Sequence, residues 1–441
     1  MRKFITVIIP VLLILSLASC GNSGEQKDGS AVSSAASQSA SATAANTTAS
    51  KSATTSKSRT LHTTNTGSTT TGSIDGGNKN PPSPADALAL VDFIVEVKGG
   101  KEPTILHLSD TQIIDPSQCR NSDRLSATAK AYWATDNINE RLYDSLTKTI
   151  EATKPDLILI TGDLVYGEFD DNGKMFQSLI AKMESFGIPW APVFGNHDNE
   201  SAMGVDWQCE QLVNAKHCLF KQRELTGNGN YTVGIKQNGE LKRVFFMMDS
   251  NGCDAHENSL KNGHTTSTVG FGQDQINWSI NLASQIRQAA PNTKLSFAFH
   301  VQIMAFKKAY AKYGFKNSDT ISNPINVDKL SNKSDGDFGY IGRDLKSVWD
   351  QSFSLYNHMK NVGVDSILVG HEHCNSASVV YEGIRFQFAQ KIGTYDRANY
   401  VRGDGSIYGA YQSTDTPLSG GTVMKMSEKD GSFVNAYIYL A

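Results

Sequence analysis

Paired thiolates are the first thing this chain lacks. Its 441 residues include six cysteines, and no two of them form a CxxC pair. A thiolate zinc site therefore has no support in the spacing. A helical HExxH pattern is absent too, which argues against a metal hydrolase of amides or lactones. Charge is scarce and nearly balanced: 19% of residues are charged and the formal net charge is −3. No global basic field points to nucleic acid or an anionic membrane surface. No internal repeat is found, and no protein partner is inferred.

Charge is scarcest at the start. "MRKFITVIIPVLLILSLASC" has Arg2 and Lys3, then an apolar run too short for a comfortable membrane span. Residues 1–20 read as a signal peptide. Its end, Leu17-Ala18-Ser19-Cys20, resembles the lipobox of bacterial lipoproteins. That resemblance implies cleavage before Cys20, lipid attachment to its sulfur, and an exported protein anchored to the membrane without spanning it. Residues 21–84 are rich in Ser, Thr and Ala. Such a segment buries too little apolar surface to offset its ordering entropy, so it is expected to be a disordered stalk. Export permits disulfides among Cys119, Cys209, Cys218, Cys253 and Cys374. Their number is odd, and Cys209–Cys218 is one candidate pair.

Residues 85–441 are expected to form one folded domain. "TILHLSD", "DLILITGD" and "WAPVFGNHD" are apolar runs that end in Asp or Asn. Between them Ile138, Leu142, Leu146 and Ile150 recur every four residues, as do Met175, Leu179 and Met183. Strands without alternation, separated by helices, indicate a parallel sheet covered on both faces. "YTVGIKQNGELKRVFFMMD" predicts a hairpin turning at Asn238-Gly239. "GQDQINWSINLASQIRQA" predicts a helix, "TKLSFAFH" a strand, and a helix is expected around 348–362 before the strand "DSILVG". The C-terminal part predicts two antiparallel hairpins. Two packed sheets flanked by helices fit this order best.

In open α/β sheets, ligands sit at the carboxyl ends of strands. Those ends carry Asp110, Asp163, Asn196-His197, His300, and His371 with His373. Four of the ten histidines fall there. Oxygen and nitrogen donors without thiolate suit zinc, manganese, iron, cobalt or calcium. Glycines before Asp163, Asn196 and His371 would let backbone approach a ligand. Singly, each such residue is more often a turn or cap residue; their common placement is what points to a site.

The segments "SDTQ", "TGDLVYGE", "GNHDNES", the "FH" at His300 and "GHEHCN" resemble, in order, the motifs of calcineurin-like metallophosphoesterases. The resemblance covers Leu106 to Asn375. "GNHDNES" and the Trp278 of "QINW" look most like the branch related to purple acid phosphatases. The family implies a four-layer αββα fold with two mixed β-sheets flanked by helices. It also implies two divalent or mixed-valence metal ions (Mn, Fe, Zn or Co), and hydrolysis of a phosphomono- or diester by a metal-bridging hydroxide. By position, Asp163 bridges the ions, Asp110 and His373 belong to one, and Asn196, His300 and His371 to the other. His197 is implied as the catalytic group facing the leaving oxygen.

Gln112 departs from the pattern, since most family members have histidine there. It ligates the first ion through its carbonyl, or contacts it through water, or yields to Tyr166, which has the spacing of the tyrosinate in purple acid phosphatases, although packing of Tyr166 in its loop is the slightly preferred reading. Asp198 is either a partner that orients the site or a loop residue. Glu200 either orients His197 or its neighbours or lies in a solvated loop with a helix cap before "VDWQCEQL", and the loop is the preferred reading. Lys307, Lys308, Lys312 and Tyr340 are candidate contacts to a phosphate or its substituent. Asp249 is expected to be structural. The competing class is a surface lipoprotein, catalytically weak or inactive, that uses the same fold to bind a ligand.

Overall fold

The computed structural model describes residues 83–118, 137–251, 270–316, 325–342, 353–393 and 419–441. The predicted signal peptide and nearly all of the stalk lie outside them, as do Cys20, Cys119, Cys253 and residues 343–352.

The apolar runs become strands. In the first half these are β1 (Phe93–Val97), β2 (Thr104–Leu108), β3 (Leu157–Thr161), β4 (Trp190–Val193), β5 (Tyr231–Gln237) and β6 (Glu240–Met247). The second half adds β7 (Lys294–Ala298), β8 (Ile325–Asn326), β9 (Tyr340–Ile341) and β10 (Val364–Val369). The C-terminal hairpins are β11 (Ser378–Tyr381) with β12 (Ile384–Phe388), and β13 (Gly420–Met426) with β14 (Phe433–Leu440). Between strands lie α1 (Pro84–Ala89), α2 (Ile138–Thr153), α3 (Lys174–Ser185), α4 (Val205–Asn214), α5 (Gln273–Ala289), α6 (Ala305–Ala311) and α7 (Ser354–Asn361). The helix expected around 348–362 is described only over α7.

Among the described residues there are two large sheets. One has seven strands in the order β1-β5-β6-β7-β10-β12-β11, the other five in the order β14-β13-β2-β3-β4. β2, β3 and β4 are parallel, as are β6, β7 and β10. The turn between β5 and β6 falls at Asn238-Gly239, both with positive φ (54° and 80°), the backbone that a two-residue hairpin of matching twist requires.

Side-chain alternation explains the layers. In β6, Phe245 and Met247 join the core between the sheets, while Val244 and Phe246 join the core under α5, α6 and α7. Phe246 stacks on Phe297 with ring centroids 4.7 Å apart. Leu142, Leu146 and Ile150 of α2 pack on the five-stranded sheet. Each sheet thus has the other on one face and helices on the other, giving the expected four layers.

The candidate disulfide is not formed: Cys209 and Cys218 are both buried free thiols, and Cys374 is buried as well. The Cys209 thiol, on α4, lies 3.6 Å from Oε1 of Gln222, while Cys218 bridges to Trp190 of β4. Burial pushes Cys209 up to about 12 and Cys218 well above the ordinary thiol range, so both stay protonated.

Candidate metal centre

The carboxyl ends of the parallel strands of both sheets meet. Asp110 follows β2, Asp163 follows β3 and Asn196 follows β4, all in the five-stranded sheet. His300 follows β7, and His371 and His373 follow β10, in the seven-stranded sheet. The local backbone is unusual. Asp110, Gln112, Asp163 and His371 have φ of 55°, 42°, 52° and 74°, a left-handed region that non-glycine residues avoid. Hydrogen bonds between the loops hold them there. Asp110 N donates to Gly162 O at 3.0 Å, and Gln112 N to Asp163 O at 2.9 Å. The expected role of the glycines is modified. A Cβ on Gly162 would meet the His300 ring at 2.6 Å, one on Gly195 would strike Asp163, and one on Gly370 would strike Ser109. They make room for neighbouring side chains and backbone at the site.

Two donor groups result. Asp110, Asp163 and His373 each offer one ligand atom, all within 4.8 Å of one another. Nε2 of His373 is 3.2 Å from Oδ1 of Asp110. In the second group, Oδ1 of Asn196 lies 3.1 Å from Nε2 of His300 and 2.9 Å from Nδ1 of His371. Nε2 of His300 is 3.4 Å from Oδ1 of Asp163. Asp163 thus stands in both groups. Nε2 of His371 is buried without a hydrogen-bond partner, a costly state unless a ligand satisfies it. Oxygen and imidazole donors fit hard to borderline cations, so these residues fit metal ions.

Electrostatics agree. Burial opposes the Asp163 charge, yet His300 and His197 hold its carboxyl well below the usual carboxylate range. Burial likewise opposes charge on Asp110, and His373 and His300 draw it below the ordinary value. Burial alone would lower His300; the Asp163 and Asp110 carboxylates instead raise it to about 9. Burial, reinforced by His300, holds His371 well below the ordinary imidazole value. Without cations, the carboxylates and His300 neutralise one another.

Gln112 is buried, and Nε2 donates to Oδ2 of Asp163 at 2.8 Å while Oε1 has no partner. The amide nitrogen, rather than the carbonyl, meets the Asp163 carboxylate. Tyr166 is buried and stacks on the His197 ring, with centroids 4.0 Å apart and planes 24° apart.

One reading changes, and others gain a structural setting. Glu200 is not in a solvated loop: it is buried, and Oε1 is 3.0 Å from Nδ1 of His197. Nor does it cap α4, whose N-cap is Gly204. Asp198 is buried and accepts from Val165 N at 3.0 Å and Gly195 N at 2.7 Å, which shapes the two loops. Burial, with the Asp163 charge nearby, raises its carboxyl to about 8. Lys312 is spent on Ser334, Asp337 and Val380 O, Lys308 lies over the Phe353 ring at 4.0 Å, and the Tyr340 hydroxyl accepts from Asn326. Asp249 is structural, accepting from Asn228 N and Asn251 N. The sequence reading missed Lys391, a buried lysine that burial lowers to about 7 against the opposing pull of Asp110. No local signal marks it, since it follows an ordinary strand.

A family model described as calcineurin-like phosphoesterase matches residues 103–375. The chain is 24% identical over 325 residues to "Probable inactive purple acid phosphatase 14" of Arabidopsis thaliana, covering 66% of this chain and 74% of that protein. It is 23% identical over 286 residues to "Phosphatase DCR2" of Saccharomyces cerevisiae, covering 62% of this chain and 44% of that one. Among solved structures, a dimetal phosphatase from Danio rerio aligns with TM-score 0.40 and 11% identity, over 77% of this chain and 99% of that one. A purple acid phosphatase from yellow lupin aligns with TM-score 0.32 and 12% identity, over 77% and 54%.

Proposed function

Since this chain belongs to the calcineurin-like phosphoesterase family, we propose that it is a metal-dependent phosphoesterase acting on a phosphomono- or diester. The observation that carries the reading is the convergence of Asp110, Asp163, Asn196, His300, His371 and His373 from two sheets, with Nε2 of His371 left unsatisfied. Asp110, Asp163 and His373 would hold one ion, and Asp163, Asn196, His300 and His371 the other. Such ions, when bound, neutralise phosphoryl oxygens and make water nucleophilic at neutral pH. The chain's own part is to fix these donors and to place His197 beside them. Its backbone N–H donates to Oδ1 of Asp163 at 2.9 Å, so its main chain is tied to the shared carboxylate. From there it would deliver a proton to the leaving oxygen.

The test is turnover of a chromogenic phosphoester by purified protein, chelated and then resupplied with Mn, Fe, Zn or Co. Metal-dependent release of the alcohol is expected; metal binding without turnover of any ester in a broad panel overturns the reading. A second reading, a ligand-binding scaffold, is favoured by one observation: the Gln112 amide nitrogen occupies the Asp163 oxygen that a cation would need. The word "inactive" in the name of a relative is consistent with it. It predicts at most one tightly held ion and no hydrolysis.

Localisation belongs to the same proposal. Residues 1–20 direct export, Cys20 carries the lipid, and residues 21–84 hold the domain of residues 85–441 off the membrane. No described helix is long and apolar enough to cross a bilayer. Detergent-phase partition of the native protein, lost in Cys20→Ser, is the expected result; a water-soluble native protein refutes the anchor.

A further inference from the structure

Resting on the phosphoesterase reading, we propose that Glu200 is the positioning residue of His197, holding the imidazole so that Nε2–H faces the leaving oxygen. Glu200 ends the short turn Asp198–Glu200 that follows His197. Its side chain is 3% accessible, against 17% for His197. A carboxylate has only acceptors, so at 3.0 Å Nδ1 of His197 must be the donor. That fixes Nδ1 as the ring nitrogen turned to Glu200 and leaves Nε2 as the nitrogen on the opposite edge of the ring. The Tyr166 ring covers one face of the imidazole.

The backbone is pinned as well. His197 N donates to Asp163, while His197 O accepts from Gly167 N at 3.0 Å and from Glu200 N at 3.2 Å. A Cβ on Gly167 would meet His197 O and Ser201 N at 2.5 Å and Glu200 C at 2.9 Å. The loop that supplies Tyr166 and the loop that supplies Glu200 are therefore locked backbone to backbone. Asp198, two residues away, shows the contrast: its oxygens go to backbone N–H groups and it shapes the turn. A turn residue kept only for its shape has no need of a buried charge, which is unfavourable without a partner. The partner here is the imidazole.

The chemistry balances without a further reactant. As the P–O bond breaks, its electron pair stays on the leaving oxygen, which takes the Nε2 proton. The other proton stays on Nδ1, still donated to Glu200, and leaves a neutral imidazole. The attacking water gives up a proton overall, which restores His197. Help of this kind matters most when the leaving alcohol is a weak acid.

The test compares 4-nitrophenyl phosphate with an alkyl phosphate, on the metal-loaded wild type, Glu200→Gln, Glu200→Asp and His197→Asn. Glu200→Gln is expected to lower the alkyl-to-nitrophenyl ratio of kcat at least about tenfold, within the range general acids supply. Metal content and KM stay the same. Glu200→Asp, which keeps the charge, is intermediate and carries the test if the glutamine variant misfolds. In the His197→Asn background, Glu200→Gln has no further effect. Equal losses on both esters, loss of metal, or additive losses in the double variant overturn the proposal. A wild type that hydrolyses neither ester defeats the phosphoesterase reading and this proposal with it. A wild type that hydrolyses both, with an unmoved ratio, removes only the role of Glu200.

Discussion

Asp163 accepts from three directions: the Gln112 amide, the His197 backbone and, at 3.4 Å, the His300 ring. Its charge organises the site. Asp163→Asn is therefore expected to abolish binding at both ion positions, and elemental analysis that still finds two equivalents would contradict the shared assignment. Gln112→His replaces an amide donor by an imidazole acceptor at the same buried place. Affinity for the first ion should rise about tenfold or more in calorimetric titration, since an added ligand is the dominant change; an unchanged isotherm makes Gln112 a bystander. The candidate donors were legible because several apolar runs, brought to one place by the order of strands, each stop at a polar residue. Glu200 was not legible. Nothing in "GNHDNES" separates a buried acid from a solvated one. Burial there is set by Gly167, more than thirty positions earlier, in a loop whose approach no local pattern announces.

A strand can hide a polar residue in the same way. His107 sits inside the apolar run of β2, and the sequence reading gave it no role. The structure places it between sheets: Nε2 meets Oγ1 of Thr161 at 2.9 Å, and Nδ1 accepts from Gln387 of β12 at 3.0 Å. Burial lowers it from 6.5 to about 3, with Asp110 pulling weakly the other way. The fold refuses a proton that the unfolded chain accepts. Its contribution is therefore whole above pH 6.5 and declines as pH falls toward about 3, by an amount on the order of a few kcal/mol. His107→Gln should flatten that part of the melting-temperature profile, measured by calorimetry; an acid limb as steep as the wild type's would show that other groups set it. Hairpins and helices were mostly read correctly, because turn chemistry and periodicity are local. Which sheet each hairpin joins was not, because that depends on pairings such as Thr422 with His107, far apart in the chain.

For the whole molecule the donor groups act as a clasp. Asp110, Asp163 and Asn196 belong to one sheet, and the three histidines to the other. Backbone bonds add to this: Ile392 N and Gly393 N, just past β12 of the seven-stranded sheet, donate to Ser109 O and Asp110 O, just past β2 of the five-stranded one. An ion bound by both sheets stabilises the folded state by mass action, about 2.7 kcal/mol at a hundredfold excess over its dissociation constant. Chelation should lower the unfolding temperature by several degrees and narrow the protection of both sheets in hydrogen exchange. An identical melting curve with and without chelator would mean that the ions do not bridge the layers. That two sheets would stack was readable from the order of elements, but the stitch between them was not. It rests on main-chain atoms, which carry no sequence signal.

The spread of these donors from Asp110 to His373 has a consequence for timing. The centre has no partial form that a growing chain can assemble early, because its second half arrives only when β10 has been made. An ion held by both groups would therefore load only after His373 has been made. The identity of such ions would then record which cations are abundant where the polypeptide folds, more than any ranking of intrinsic affinity.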